Sequence, residues 1–315
     1  MTIPAASFDD KTIRHIVEVA QFDRLWIESL FQRVGRMRQE PRGSDRLKGN
    51  ILATLFYEPS TRTRLSFESA MHRLGGQVIS TENAGEFSSA IKGETVEDTI
   101  RMIGGYADAI VIRHPQQGAA ARAAAVSEVP ILNGGDGPGE HPTQALLDLY
   151  TIMSEQGRID GLKVALVGDL RFGRTARSLV RLLTLTTDTE IIYVSPPAVP
   201  MGSDVQRAVV AAGVAQRSEP DLSAVLPTVD VVYQTRIQRE RFATREEYEA
   251  SRGVYILNRD SYDLMKPTAT VLHPLPRVDE ISTEVDDDPR SAYFRQARNG
   301  VFVRMALLDL LLGQD

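Results

Sequence analysis

The stretch Ile51-Leu52-Ala53-Thr54-Leu55-Phe56-Tyr57-Glu58-Pro59-Ser60-Thr61-Arg62-Thr63-Arg64-Leu65-Ser66-Phe67 contains the unit from which the fold is built. Ile51–Tyr57 is a near-continuous apolar run rather than an alternating one, the pattern of a strand buried on both faces of a parallel sheet. A proline and a polar turn follow. Phe67, Met71 and Leu74 then recur at i, i+4, i+7, the buried stripe of a helix. Similar short runs bounded by Gly, Pro or Asn appear at Ala109–Ile112, Val164–Val167, Ile191–Val194, Val229–Tyr233, Val254–Leu257 and Thr270–Leu272. Helical spacings lie between them, as in Ala145, Leu149 and Ile152 or Ala176, Leu179, Val180 and Leu183. Strand–helix alternation along the chain predicts an α/β protein with doubly wound parallel sheets.

With 315 residues the chain fits two domains of roughly 100–200 residues each. One helical pattern, Pro142 to about Gln156, has no strand ahead of it and stops at Gly157, a plausible C-cap. It sits at mid-chain, where a boundary between two sheets should fall. Val301–Leu312 is apolar nearly all round and must be buried, with either domain as its partner.

Composition narrows the chemistry. The net charge of −6 gives no bulk attraction for nucleic acid or anionic lipid, so an anionic ligand needs a local cluster of cations. Cysteine is absent, which removes disulfides, thiolate nucleophiles and Cys-ligated metals together. No stretch reaches the ~18 apolar residues of a membrane span. Met1–Asp10 shows neither the basic nor the apolar part of a secretory signal, so a cytoplasmic enzyme is expected.

In open α/β sheets ligands bind beyond the carboxyl ends of the strands. Arginine follows five of the expected strands: Arg62 and Arg64, Arg113, Arg171 and Arg174, Arg236, and Arg277. Ser60–Arg64 opens a helix, where free N–H groups favour an anion, and adds hydroxyls and guanidiniums suited to phosphate. The competing reading makes Ser60 an N-cap with solvated neighbours. Gly168–Gly173 lacks G-x-G-x-x-G, and the helix after it carries Arg174, Arg177 and Arg181 either toward a ligand or as a solvated basic face. His114, His141 and His273 precede proline and so mark turns or helix entrances. His141 and Gln144 suit hydrogen bonds to a ligand, or simply a cap and a structural amide. No G-x-S-x-G, H-E-x-x-H or acidic metal cluster appears, and Asp286–Asp288 reads as a solvated loop. Ser88–Thr95 is either a lid over a polyanion or a surface loop.

Together these segments resemble the catalytic chains of the aspartate carbamoyltransferase (aspartate transcarbamoylase) family. The matching blocks are Phe56–Glu68, Ser88–Thr95, Arg113-His114-Pro115, His141-Pro142-Thr143-Gln144, Val167–Thr175, Thr235-Arg236-Ile237-Gln238 and His273-Pro274-Leu275-Pro276-Arg277, in the family's order along nearly the whole chain. The Ser-Thr-Arg-Thr-Arg block is shared with ornithine carbamoyltransferases. That sibling usually has cysteine in its His-Pro-x-Gln and His-x-Leu-Pro motifs, where this chain has Thr143 and Pro274. Ile91 stands where relatives often carry a second basic residue, and gap-free spacing from Lys92 favours Ser88 over Ser89.

The resemblance implies transfer of the carbamoyl group of carbamoyl phosphate to the amine of L-aspartate, in pyrimidine biosynthesis, without metal or organic cofactor. The implied alternatives are an ornithine carbamoyltransferase-like enzyme or a non-catalytic phosphate-ligand-binding relative. Ser60, Thr61, Arg62, Thr63 and Arg113 should hold the phosphate. Thr63, Arg113 and His141 should face the carbonyl oxygen, with Gln144 and the carbonyls of Leu275 and Pro276 at the NH2. Arg174, Arg236, Gln238 and Lys92 should hold aspartate, with Ser88 and Lys92 coming from the neighbouring subunit of a homotrimer. The implied domains are 1–142 plus a C-terminal helix at about 299–315 for carbamoyl phosphate, and 143–298 for aspartate. Regulatory or dihydroorotase chains are further partners that the resemblance leaves open.

Overall fold

The structure is a computed structural model and describes residues 13–40, 43–82, 93–237, 244 and 253–313. The first half forms a four-stranded, all-parallel sheet in the order β2-β1-β3-β4, from β1 (Ile51–Phe56), β2 (Gln77–Glu82), β3 (Ala109–His114) and β4 (Ile131–Asp136). Helices α1 (Arg24–Gln39), α2 (Thr61–Arg73), α3 (Val96–Gly104) and α4 (Ala119–Val126) accompany it. Helix α5 (Pro142–Gln156) then leads to a second all-parallel sheet in the order β7-β6-β5-β8-β9. Its strands are β5 (Lys163–Val167), β6 (Glu190–Val194), β7 (Ala215–Ser218), β8 (Val231–Gln234) and β9 (Thr270–Leu272). Helices α6 (Arg174–Leu183), α7 (Ser203–Ala211), α8 (Leu222–Val225) and α9 (Arg259–Leu264) accompany this sheet. The chain's longest helix, α10 (Tyr293–Leu312), comes last. Both sheets change winding direction beside their first strand, which opens a crevice at the carboxyl ends of β1/β3 and β5/β8.

Two caps define α5. Pro142 occupies its first turn, where a missing N–H costs nothing, and Gly157 ends it at φ 71°, donating its N–H to Met153 O. Nearly all of its first eleven residues are buried. Helix α10 packs on α1, α2 and α5, so one continuous apolar cluster runs from Phe31 and Phe67 through Leu146 and Leu149 to Leu166, Leu307 and Leu308. A separate cluster fills the far face of each sheet.

Several sequence expectations are corrected. Val254–Leu257 is no sheet strand; it alternates buried Tyr255 and Leu257 with exposed Val254 and Ile256 and makes one bridge, Leu257 to Ile281. Strands β2, β4 and β7 were not expected. All three are sheet edges, and β2 and β7 carry polar side chains in place of an apolar run. The last helix starts at Tyr293 rather than near 299.

Candidate active site

The crevice is a cleft of about 790 Å³ lined from both halves of the chain. The first half supplies Ser60–Thr63 at the start of α2, Arg113 at the carboxyl end of β3, and His141 and Gln144 at the start of α5. The second half supplies Arg174 at the start of α6, Thr235 and Arg236 beyond β8, and His273–Pro276 beyond β9. Thus Ser60, Thr61, Arg62, Thr63, Arg113, His141, Gln144, Arg174, Arg236, Leu275 and Pro276 line one cleft. Ser88, Lys92 and Gln238 lie outside the described residues.

Ser60 occupies the N-cap position of α2, yet its hydroxyl makes no capping hydrogen bond. The capping reading therefore accounts for its place but not for its side chain. The first-turn N–H groups of α2 face an opening that cations surround. Arg113 is largely buried, donates from Nη1 to Gly134 O at 3.1 Å, and has Glu58 3.7 Å away. Burial first, then Arg174 and Arg62, push it down to about 10, against the opposing pull of Glu58. Burial also lowers Arg62. Arg174 donates to Gly137 O at 2.8 Å.

Gly135 explains how two guanidiniums fit so closely. Its φ is +115°, and a Cβ there would lie 3.0 Å from Arg113 Nη1 and 3.1 Å from Arg174 Cζ. A side chain at this position would clash with the arginines as well as strain the backbone. Gly168 does the same for the other half. At φ +109° its missing Cβ leaves room for Thr235 O, 2.4 Å from where that atom would be, so the β5 turn lies against the residue preceding Arg236.

His141 is 4% exposed, with Nε2 3.4 Å from Thr63 Oγ1 and its backbone N–H donating to Ser178. Burial, then Arg174, Arg113 and Arg304, hold its pKa well below the ordinary value of 6.5, so the ring is neutral at pH 7. His273 Nδ1 accepts from Leu275 N at 2.8 Å, which puts the proton on Nε2, 2.7 Å from Glu280. This ring braces the turn carrying Leu275, whose φ is +55°, and Pro276, whose peptide bond is cis.

Two sequence readings fail here, and one open alternative is decided. Arg277 leaves the cleft and forms a bidentate pair with Asp286 that Tyr293 joins. Asp286–Asp288 is accordingly no solvated loop throughout, because Asp288 also binds Arg290. Arg177 and Arg181 pair with Asp204, the basic-face alternative, and Arg171 stacks on Phe172 outside the lining. Sequence reasoning missed Arg304, a buried guanidinium over the Phe67 ring that lines the cleft and is pushed down to about 10 by burial. Its signal was the single cation within the apolar run Val301–Leu312. Asp148 and Gln296 were missed as well.

Among the described residues no His, Asp and Glu group is arranged to hold a metal. The cleft is instead an anion site with neutral donors, built to stabilise charge electrostatically rather than to supply a nucleophile.

Comparison with known proteins agrees with this geometry. Residues 14–154 match the model for the aspartate/ornithine carbamoyltransferase carbamoyl-P binding domain, and residues 160–311 match the Asp/Orn binding domain. The chain is 57% identical over 301 residues to the chloroplastic aspartate carbamoyltransferase of Arabidopsis thaliana, covering 94% of this chain and 77% of that one. It is 50% identical to the aspartate carbamoyltransferase catalytic subunit of Methanopyrus kandleri, covering 95% and 97%. The catalytic subunit of M. jannaschii aspartate transcarbamoylase superposes with a TM-score of 0.89 at 46% identity, covering 95% and 98%. Aspartate transcarbamoylase from Trypanosoma cruzi in complex with N-(phosphonacetyl)-L-aspartic acid does so with 0.89 at 42%, covering 96% of each chain. From the two matched domains, this identity along nearly the whole chain and the shared fold, the chain belongs to the aspartate/ornithine carbamoyltransferase family, among its aspartate carbamoyltransferases.

Proposed function

We infer that this enzyme transfers the carbamoyl group of carbamoyl phosphate to the amine of L-aspartate, giving N-carbamoyl-L-aspartate and phosphate for pyrimidine synthesis. The observation that carries the reading is the convergence, from two sheets, of guanidiniums and neutral donors on one cleft. Ser60, Thr61, Arg62, Thr63 and Arg113 bind the phosphate. The amine attacks the carbamoyl carbon directly, and negative charge grows on the carbonyl oxygen. Thr63, Arg113 and neutral His141 donate to that oxygen, stabilising the tetrahedral transition state. Gln144 and the carbonyls of Leu275 and Pro276 accept from the NH2, and Arg174 and Arg236 hold the carboxylates. The protein contributes orientation and electrostatics, and phosphate leaves with the electron pair of the broken C–O bond and takes up the proton that the attacking amine gives up. A colorimetric assay for carbamoyl-aspartate tests the reading. Product with aspartate and none with ornithine supports it, and the reverse identifies the sibling activity.

The assembly we propose is a homotrimer in which Ser88 and Lys92 complete the neighbouring subunit's site, with Gln238 as a further aspartate ligand. In support, β2 and α3, which bracket residues 83–92, and the turn after α3 carry exposed Ile79, Met102 and Tyr106, apolar surface that a second copy would cover. Mixing Arg62→Ala with Lys92→Ala after dissociation and reassociation tests the sharing. About a quarter of the sites should recover if sites are shared in a closed ring, and none if each site belongs to one chain. The proposed location is the cytoplasm, to be checked by fractionation. Among the described residues no helix is long and apolar enough to cross a membrane, and the Arabidopsis relative is named chloroplastic.

A further inference from the structure

Asp148 lies one turn beyond Gln144 on α5, is 0% exposed, and has no role in the mechanism above. Its Oδ1 accepts from Gln144 Nε2 at 2.8 Å and from Gln296 Nε2 at 2.6 Å, and its Oδ2 accepts from Tyr233 Oη at 2.7 Å. The three donors stand on three elements: α5, α10 and β8. Each leads to the cleft. Gln296 Oε1 accepts the backbone N–H of His273 at 2.9 Å, two residues before Leu275. Tyr233 is followed by Gln234, Thr235 and Arg236. Gln144 itself lines the cleft.

A glutamine amide has a donating end and an accepting end, and whatever binds one end decides which the ligand meets. Burial pushes the Asp148 carboxyl up to about 7 against the pull of its three hydrogen bonds, and above that pH the ionised group accepts and does not donate. It therefore attracts the NH2 of both glutamines and turns their oxygens outward, toward the cleft for Gln144 and toward the His273 N–H for Gln296. We propose that Asp148 is a positioning residue that holds Gln144 and the His273–Leu275 turn as acceptors, so that the site selects an acyl phosphate bearing NH2 over one bearing methyl. The inference rests on Gln144 accepting from the carbamoyl NH2. Methyl cannot donate, so an acetyl group would cover these acceptors and leave them unpaired, the type of mismatch that discriminates most strongly.

The readout is the inhibition constant of acetyl phosphate divided by the KM of carbamoyl phosphate, measured on the full-length enzyme. Inorganic phosphate, which carries neither an NH2 nor a methyl group, serves as the control inhibitor. Asp148→Ala should lower the ratio at least tenfold while phosphate inhibition stays within threefold. Asp148→Asn keeps one oxygen for the two glutamines and can turn its NH2 to Tyr233, whose hydroxyl also has Thr175 as a partner. That variant should hold the ratio within threefold of the parent. An unchanged ratio in Asp148→Ala overturns the proposal. So does a loss in Asp148→Asn as large as that in Gln144→Ala, and this arm is independent of how well the alanine variant folds. If Gln144→Ala itself keeps the ratio, the Gln144 assignment falls and the proposal with it. If Gln144→Ala loses the ratio and Asp148→Ala does not, only the role of Asp148 falls.

Discussion

Arginines at Asp309 and arginines in the cleft carry the same charge in opposite company. Asp309, on α10, has a side chain 1% exposed and accepts from Arg33 at 2.5 Å and Arg46 at 2.7 Å. Its hydrogen bond raises Arg46 above the ordinary range. In the cleft the direction reverses: Arg62, Arg113 and Arg304 are all lowered, chiefly by burial, and Arg113 also by its cationic neighbours. The first group is matched within the chain and holds the fold together. The second is held together at a cost in stability, and a dianionic ligand would relieve that cost. Removing a member of each group should therefore move different observables.

Arg62→Ala should have the largest effect. Losing one guanidinium from a partly desolvated anion site typically removes ~2–4 kcal/mol of transition-state stabilisation, a fall in turnover of about 30- to 1000-fold. Phosphate inhibition should weaken, with the melting temperature unchanged or raised. Turnover and carbamoyl phosphate affinity both equal to the parent would remove Arg62 from the phosphate site. Asp309→Asn makes the converse test. Breaking a buried pair costs about 3–5 kcal/mol when both partners are enclosed. Here both arginines are partly exposed, so about 2 kcal/mol of unfolding free energy in urea is expected, with both KM values within twofold. A change in KM without a change in stability would break the contrast.

Arg236→Ala divides the cleft itself. A lost charge-assisted contact of about 1.5–3 kcal/mol should raise the KM for aspartate at least tenfold and leave carbamoyl phosphate affinity alone. Equal losses for both substrates would show that the two halves of the cleft do not divide the work. The smallest expected effect is in the pH dependence. His141 has a folded pKa below its unfolded value of about 6.5, so the unfolded chain takes up the proton first. Its contribution to stability is complete above pH 6.5 and is lost as pH falls from there toward the folded pKa. Between pH 6.5 and 5.5 the loss is about 1 kcal/mol. His141→Gln should flatten the stability–pH curve by that amount. An NMR titration showing His141 charged at pH 6.5 would refute the neutral donor.

Much of this was legible because parallel strands buried on both faces are written as unbroken apolar runs and their carboxyl ends carry the polar residues. Three of the four edge strands escaped that rule. Gln77–Glu82 and Ala215–Ser218 are too polar to stand out, and Ile131–Asp136 has only two apolar side chains before Asn133, with Gly135 leaving room for the neighbouring guanidiniums. Arg277 was misread because its partner, Asp286, lies nine residues away in a run that looked solvated. Asp148, Gln296 and Arg304 lay hidden inside helices, where a polar residue at a buried position differs from a surface one only once the neighbouring elements are in place.

The position of α10 also sets an order of events during synthesis. The helix completes the apolar cluster shared by α1, α2 and α5, yet about 150 residues separate the start of α5 from its own start. At ~5–20 residues per second, a ribosome takes roughly 8–30 s to cover that distance. Throughout that interval Phe31, Phe67 and Leu146 lack their final cover. The nascent first half must wait, sticky and unfinished, while the second half is made and folds, and chaperones that bind exposed apolar chain have those seconds in which to act.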